Sequence, residues 1–211
     1  MIDFKLYLIT DRTQTAGREL PAVIAEALTG GVRSVQLREK DLSARQQLEL
    51  AVQLRTLTRE HDARLLINER IDIALTVGAD GVQVGAGSLP VTEVRRLLGP
   101  ELLIGYSAHT LGEALQAERD GADFVTFGPV YRTPSKLKYG EPVGIAQLAE
   151  VVSSLGIPVF ALGGVKEASI PAVMATGCHG VALISAIISD PDPKTATGFL
   201  LEKIEKHVTQ R

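Results

Sequence analysis

A phrase that recurs along the chain constrains the fold more than any other feature of the sequence. A glycine, a turn and a short β-branched run occur together at residues 77–85, 121–128 and 177–184, with a looser copy at 30–38. Glycine commonly ends a helix in the left-handed conformation. The apolar run that follows is too short for a helix and is typical of a strand covered on both faces. The repeat therefore predicts alternating helices and strands in a parallel sheet.

Eight segments have the pattern of buried strands: Leu6–Thr10, Ser34–Arg38, Leu65–Asn68, Gly81–Val84, Leu103–Ser107, Phe124–Phe127, Pro158–Leu162 and Gly180–Ile184. Helical apolar spacing lies between them, and Thr110 is a predicted N-cap. We expect residues 1–211 to form a single domain, a closed (β/α)8 TIM barrel. An open doubly wound sheet is the alternative, but there polar residues would collect at one switch point.

Composition excludes several classes of function. The net charge is −3 and the basic residues are scattered among acidic ones, so we expect no nucleic-acid partner. The single cysteine, Cys178, cannot form an internal disulfide, and we expect it to be buried. The chain has no leader-like start and no run of about 20 apolar residues. We therefore expect a cytoplasmic protein without a membrane partner.

Polar residues follow nearly every predicted strand, where TIM barrels place their active sites. They include Asp11, Arg12, Gln36, Arg38, Glu39, Lys40, Asn68, Glu69, Arg70, Gln83, Ser88, Ser107, His109, Thr133, Ser135, Lys136 and Ser185. Several of them are cations, which predicts an anionic ligand although the whole chain is acidic.

Two of these segments suit phosphate. Gly163 and Gly164 follow the seventh strand, and Ser185 follows the eighth, which is the usual phosphate site of a barrel. Glycine lets main-chain N–H groups approach an anion, although a tight turn without a ligand would have the same sequence. Residues 133–136 offer two hydroxyls and the Lys136 ammonium as phosphate partners, or they form a solvated loop.

His109 lies two residues beyond Ser107, at the end of the fifth strand. A histidine there can act as an acid or a base near neutral pH, or it can begin a helix and bond to the backbone. The longest irregular stretch, Gly128–Gly144, contains three prolines. A loop of that length in a compact domain is usually functional or mobile.

In this order, the motifs resemble those of the thiamine phosphate synthase and TenI family. They are Leu6–Asp11, Gln36–Lys40, Ile67–Ala74, Gly78–Gly81, Ile104–Thr110, Phe127–Lys136, Ala161–Gly164 and Ile184–Ile187. The resemblance implies a TIM barrel that acts in thiamine biosynthesis on small phosphorylated pyrimidine and thiazole substrates. Its synthase joins hydroxymethylpyrimidine diphosphate to thiazole phosphate and releases diphosphate.

The resemblance also implies roles for the residues in the shared motifs. The pyrimidine diphosphate would be held by Gln36, Arg38, Lys40 and Asn68, and its diphosphate group by Thr133, Ser135 and Lys136, with Ser107 nearby. The thiazole phosphate would lie against Gly164 and Ser185.

This sequence departs from the synthase pattern at the Mg²⁺ ligands that the resemblance implies. Glu69 and Ser88 stand where the synthase pattern has aspartates, and Gln83 stands where a histidine is usual. Glu69 can reach a cation through its extra methylene, whereas the Ser88 hydroxyl is a poor replacement for a carboxylate. Mg²⁺ is the expected cofactor of a synthase, with Glu69 as its ligand.

Three functions remain open, and we place the synthase first because the diphosphate motifs are retained. The second is a TenI-type thiazole tautomerase, which needs no cofactor and would use His109 as its acid and base. The third is a catalytically silent barrel that binds a thiamine precursor as a regulator. A homodimer is compatible with each.

Overall fold

The computed structural model describes residues 2–133 and 141–208, and these form a closed barrel of eight parallel strands. Each strand pairs with the next, and the last pairs with the first. The strands are β1 (Leu6–Ile9), β2 (Ser34–Leu37), β3 (Arg64–Asn68), β4 (Gly81–Gly85), β5 (Leu103–Ala108), β6 (Phe124–Phe127), β7 (Val159–Leu162) and β8 (Gly180–Leu183). The predicted TIM barrel is confirmed, and each predicted strand agrees to within one residue at either end.

Helices surround this barrel. They are α1 (Leu20–Thr29), α2 (Ala44–Glu60), α3 (Ile71–Val77), α4 (Val91–Leu98), α5 (Leu111–Arg119), α6 (Gly144–Ser154), α7 (Ile170–Ala175), α8 (Ser185–Ile188) and α9 (Pro193–Val208). Thr110 caps α5 as predicted, because its side chain accepts a hydrogen bond from the Glu113 N–H. Across the two described ranges, no helix is both long enough and apolar enough to span a bilayer.

The recurring glycines end helices as the sequence predicts. Gly78, Gly121 and Gly177 have φ angles of +63°, +97° and +93°, a region that side-chain-bearing residues seldom adopt. Each one turns the chain from a helix into the following strand at the N-terminal face of the barrel.

The aspartate of the repeat has a structural purpose that the sequence analysis did not predict. Asp80 accepts hydrogen bonds from the Leu65 N–H at 2.7 Å and from Arg55 at 2.6 Å. One repeat later, Asp123 makes the same pair of contacts, with the Ile104 N–H at 2.7 Å and Arg95 at 2.6 Å. Each carboxylate therefore joins the start of the preceding strand to the helix that comes before that strand.

Aromatic rings fill the N-terminal half of the barrel interior. Phe4, in the segment before β1, stacks on Phe160 with ring centroids 5.2 Å apart. Tyr7 and Phe124 meet edge to face at 5.5 Å, and both are fully buried. Ile2, Ile9, Leu66 and Ala182 complete this cluster, which is separate from the larger core between strands and helices. These side chains thus fill the N-terminal end of the interior, and a ligand is expected at the other end.

Gly105 makes room for this packing. A Cβ at residue 105 would overlap both Gln83 Oε1 and the Phe124 ring, so glycine is required by space rather than by backbone conformation. A barrel interior packs at close to crystal density, and a single extra methyl group displaces its neighbours.

Gly105→Ala should therefore lower the free energy of unfolding by about 1–3 kcal/mol, the usual cost of overpacking. Gly112→Ala, in α5, is the matched control, because a Cβ there meets nothing within 4 Å. The control should be neutral or stabilised by up to about 1 kcal/mol, since alanine favours helix. Denaturant titration measures both variants, and equal stabilities would contradict the assigned packing.

Candidate active site

A layer of polar side chains lies above the aromatic cluster, toward the C-terminal ends of the strands. Gln36 on β2 donates to the Asn68 side-chain oxygen on β3 at 3.4 Å. Gln83 on β4 donates to Ser107 Oγ on β5 at 3.0 Å and to Thr126 Oγ1 on β6 at 3.3 Å. Three residues of the predicted site, Gln36, Asn68 and Ser107, are therefore members of one layer.

Tyr7 joins the two layers of the interior. Its ring packs among the aromatic residues, and its hydroxyl donates to Gln83 Oε1 at 3.3 Å. Complete burial raises the pKa of the Tyr7 phenol well above its usual value, so this hydroxyl keeps its proton.

The sequence analysis did not predict Thr126 and Tyr7 as site residues, and it placed Gln83 at the rim without a role. Gln83 and Thr126 are 2% and 1% exposed within strands that are otherwise largely apolar. A polar residue inside a buried strand was the signal that could have identified them, since such a residue needs a partner in the barrel interior.

The segment after β2 fixes the predicted substrate-binding residues Arg38 and Lys40. Between them, Glu39 is buried and accepts a hydrogen bond from the Arg12 N–H at 3.1 Å. Burial raises the pKa of the Glu39 carboxyl, although hydrogen bonds from Thr10 and Arg12 oppose this effect. The Arg38 N–H donates to Thr10 Oγ1 at 2.9 Å, so the loops after β1 and β2 are tied together.

Most cations of this rim are paired. Lys40 lies 3.3 Å from Glu69, Arg70 pairs with Asp72 at 2.5 Å, and Arg12 pairs with Asp41. Arg38 is half-buried and forms no ion pair within residues 2–133 and 141–208. Its charge still acts on Asp11: burial raises the pKa of that carboxyl, but hydrogen bonds from Thr13 and Gln14 and the Arg38 charge lower it. Arg38 is thus one of the described rim cations that no carboxylate neutralises, and Arg132, exposed after β6, is another.

His109 follows β5 and lies half-buried at the start of α5. Its N–H donates to the Glu113 carboxylate at 2.7 Å, and its ring Nδ1 contacts the Gly128 carbonyl oxygen. Because a carbonyl oxygen can only accept, Nδ1 carries the proton, and Nε2 is the basic nitrogen of the neutral ring. Both contacts fit the structural alternative for His109, and the tautomer also fits an acid–base role.

Gly163 and Gly164 lie directly after β7, with φ angles of +92° and +67°. Side chains there would collide with Pro129 and Tyr131, so the pair also gives room for the segment after β6. In the described part of the chain, the N–H groups of Gly164, Val165, Ser185 and Ala186 have no main-chain or side-chain acceptor. These donors lie after two adjacent strands and suit a phosphate.

The two predicted metal positions do not form a carboxylate pair. Glu69 is exposed and faces Lys40, and the Ser88 hydroxyl accepts a hydrogen bond from the Gly85 N–H at 3.0 Å. No group of three or more His, Cys, Asp or Glu side chains could hold a metal ion within the described ranges.

The predicted diphosphate loop is described only in part. Thr133 is half-buried in the irregular segment that follows β6. Ser135 and Lys136 lie outside the described residues, so their assignment stays a prediction.

Comparison with known proteins identifies the family. The family model described as thiamine monophosphate synthase matches residues 6–187. A putative thiamine-phosphate synthase of Geobacter sulfurreducens is 61% identical over 95% of this chain and 94% of its own length. A thiamine-phosphate synthase of Desulfitobacterium hafniense is 42% identical, over 95% and 97% of the two chains.

Solved structures agree with these relatives. Thiamine phosphate pyrophosphorylase from Pyrococcus furiosus superposes with a TM-score of 0.89 at 38% identity, covering 97% of this chain and 96% of the other. The sequence relatives and the structural neighbour match nearly the full length of the barrel. The chain belongs to the thiamine monophosphate synthase family.

Proposed function

We propose that this protein joins hydroxymethylpyrimidine diphosphate to thiazole phosphate, which gives thiamine phosphate and diphosphate. The observation that carries this proposal is the arrangement after β2, β3 and β5. Arg38 lies directly after β2, two residues beyond Gln36, so its side chain leaves the same face of the chain as Gln36, which belongs to a layer of neutral donors with Asn68 and Ser107. The names of the relatives support the same reaction.

The chemistry requires a leaving group that is stabilised before the new bond forms. The bond from the pyrimidine methylene carbon to the diphosphate oxygen breaks, and its electron pair departs with diphosphate. The thiazole nitrogen then donates its lone pair to the methylene carbon and forms the carbon–nitrogen bond. Donors aimed at the departing oxygens are the main means of lowering such a barrier. Arg38 and Ser107 supply them in our proposal, together with Thr133, Ser135 and Lys136.

The second substrate needs a separate phosphate site. We assign it to the N–H groups of Gly164, Val165, Ser185 and Ala186, after β7 and β8. Main-chain donors cradle a phosphate without a second cation, so the two anionic substrates need not compete for Arg38.

A magnesium ion would fit this chain less well than the family pattern implies. Glu69 is the one acidic ligand that we assign, and it already faces Lys40, while Ser88 offers a hydroxyl. Mg²⁺ prefers carboxylate oxygens at short and rigid distances. We therefore propose that Mg²⁺ binds more weakly here than it would between two carboxylates. The cytoplasmic location and the homodimer stay predictions.

The thiazole tautomerase is the second candidate, because His109 has a defined tautomer with Nε2 as its basic nitrogen. An acid–base shuttle would need that nitrogen beside the substrate, whereas it would not need Arg38.

Arg38→Ala should lower kcat/KM for the pyrimidine diphosphate by roughly 10²–10³-fold, the loss typical of a donor that stabilises developing charge. Arg59→Ala is the matched control, since Arg59 is exposed in the last turn of α2 at the opposite face of the barrel. Formation of thiamine phosphate by the purified protein measures the activity of both variants.

Metal-independent isomerisation of the thiazole carboxylate, lost in His109→Ala, would instead identify a tautomerase. Activity in neither assay would favour the silent binder.

Ser88→Asp should lower the Mg²⁺ concentration that supports half-maximal activity by about tenfold, equivalent to ~1.4 kcal/mol of binding. The added carboxylate supplies the second hard ligand, and Ser88→Asn controls for size without the charge. Thiamine phosphate formation is followed while Mg²⁺ is titrated. A wild-type rate that is unaffected by chelation, or equal requirements in all three proteins, would contradict this prediction.

A further inference from the structure

Gln83 is a buried side chain at the centre of the polar layer to which the proposed reaction assigns no task. It is 2% exposed and contacts three hydroxyls, those of Tyr7, Ser107 and Thr126. Of these, Ser107 is half-buried and belongs to the proposed diphosphate site.

Tyr7 determines which way the Gln83 amide faces. The phenol is completely buried and keeps its proton, so it needs an acceptor, and Gln83 Oε1 lies 3.3 Å away. With the amide reversed, the phenol proton would have no acceptor there, and a buried donor without a partner is strongly disfavoured. The Gln83 NH₂ group is therefore directed at Ser107 and Thr126.

The direction of both amide hydrogen bonds follows from this orientation. The two amide hydrogens go to Ser107 Oγ at 3.0 Å and Thr126 Oγ1 at 3.3 Å. The Thr126 hydroxyl then donates to Ser107 Oγ at 3.4 Å. The Ser107 oxygen accepts from both neighbours, so its own proton is left to donate toward the mouth of the barrel.

We propose that Gln83 is a positioning residue that makes Ser107 a hydrogen-bond donor to the anionic diphosphate group. This inference rests on the diphosphate site of the proposed function, because it requires an anionic acceptor above Ser107. Ionised phosphate oxygens only accept hydrogen bonds, so a serine with its proton directed outward binds them, and a serine turned inward does not.

The side chains in contact with Gln83 are neutral among the described residues, and the charged residues Arg38 and Glu69 follow β2 and β3. Tyr7 faces it from β1, Ser107 from β5 and Thr126 from β6, and its register partner on β3 is Asn68. Glu69 is in contact with Gln83 through the main chain, because its N–H donates to the Gln83 carbonyl oxygen. The Glu69 carboxylate itself faces Lys40. Within this group, Tyr7 is the one interior residue that titrates, and it does so far above neutral pH.

Gln83→Glu tests the proposal because it preserves the shape of the side chain and replaces the NH₂ donor with a carboxyl group that can lose its proton. A protonated carboxyl accepts from Tyr7 and donates to Ser107, as the amide does, whereas a carboxylate can only accept and turns the Ser107 proton inward. The ratio of kcat/KM between the variant and the wild type should approach one at low pH. It should fall by about tenfold per pH unit above the pKa of the new carboxyl, the slope of one ionisation.

Gln53→Glu, exposed on α2, carries the same charge change outside the site and should give a ratio that does not depend on pH. A pH-independent ratio for Gln83→Glu would overturn the proposal, because a merely structural role would not follow the ionisation of residue 83.

A double-mutant cycle keeps the proposal falsifiable if Gln83→Glu does not fold. Tyr7→Phe releases the amide to reverse, so it should lower kcat/KM several-fold when Ser107 is present and have no effect in a Ser107→Ala background. Equal losses in both backgrounds would overturn the proposal.

Binding of inorganic diphosphate by calorimetry separates this inference from the proposed function. Gln83→Glu should bind diphosphate like the wild type at low pH and more weakly at high pH. Should the wild type bind diphosphate but make no thiamine phosphate, the proposed function fails and the inference stands. Should it bind no diphosphate, both are overturned.

Discussion

The hydrogen bond from Tyr7 to Gln83 joins the two halves of the barrel interior, and much of the molecule depends on it. Below it, the Tyr7 ring closes the N-terminal end with phenylalanines. Above it, Gln83 holds the hydroxyls of Ser107 and Thr126. The glycine at residue 105 is required because this amide and the Phe124 ring together occupy the space of its side chain. The contacts of Tyr7 and Gln83 thus determine both how the barrel interior packs and where its polar layer lies.

The chain is acidic as a whole, yet its proposed ligands are anions. Most cations of the rim are paired with neighbouring carboxylates, as Lys40 is with Glu69. Arg38 has no ion pair in the described ranges, so its charge is available to an anion. Neutral donors supply the remainder, from side chains on β2 to β5 and from main-chain N–H groups after β7 and β8. Neutral donors stabilise an anion without the repulsion that clustered cations would create in the empty site.

The barrel could be predicted because its repeat has a local physical cause. A glycine after the helix in each copy of the repeat, followed by a short β-branched run, leaves few other folds, and the left-handed φ angles of Gly78 and Gly121 confirm that logic. The polar residues of the rim could be predicted because the active site of a TIM barrel lies where its strands end. The contacts of Asp80, Glu39 and Gln83 could not be predicted, because each joins segments that are distant in sequence. Which way the Ser107 proton faces depends on three other strands, and no spacing along the chain encodes it.

The central claim is that two anions bind at the C-terminal ends of the strands, one on each side of the barrel mouth. A crystal structure of the protein with diphosphate and thiazole phosphate bound tests it most directly. The account predicts diphosphate oxygens within hydrogen-bond distance of Ser107 Oγ and Arg38, and the thiazole phosphate on the N–H groups of residues 164, 165, 185 and 186. Both anions on one side, or either anion away from this face, would contradict it.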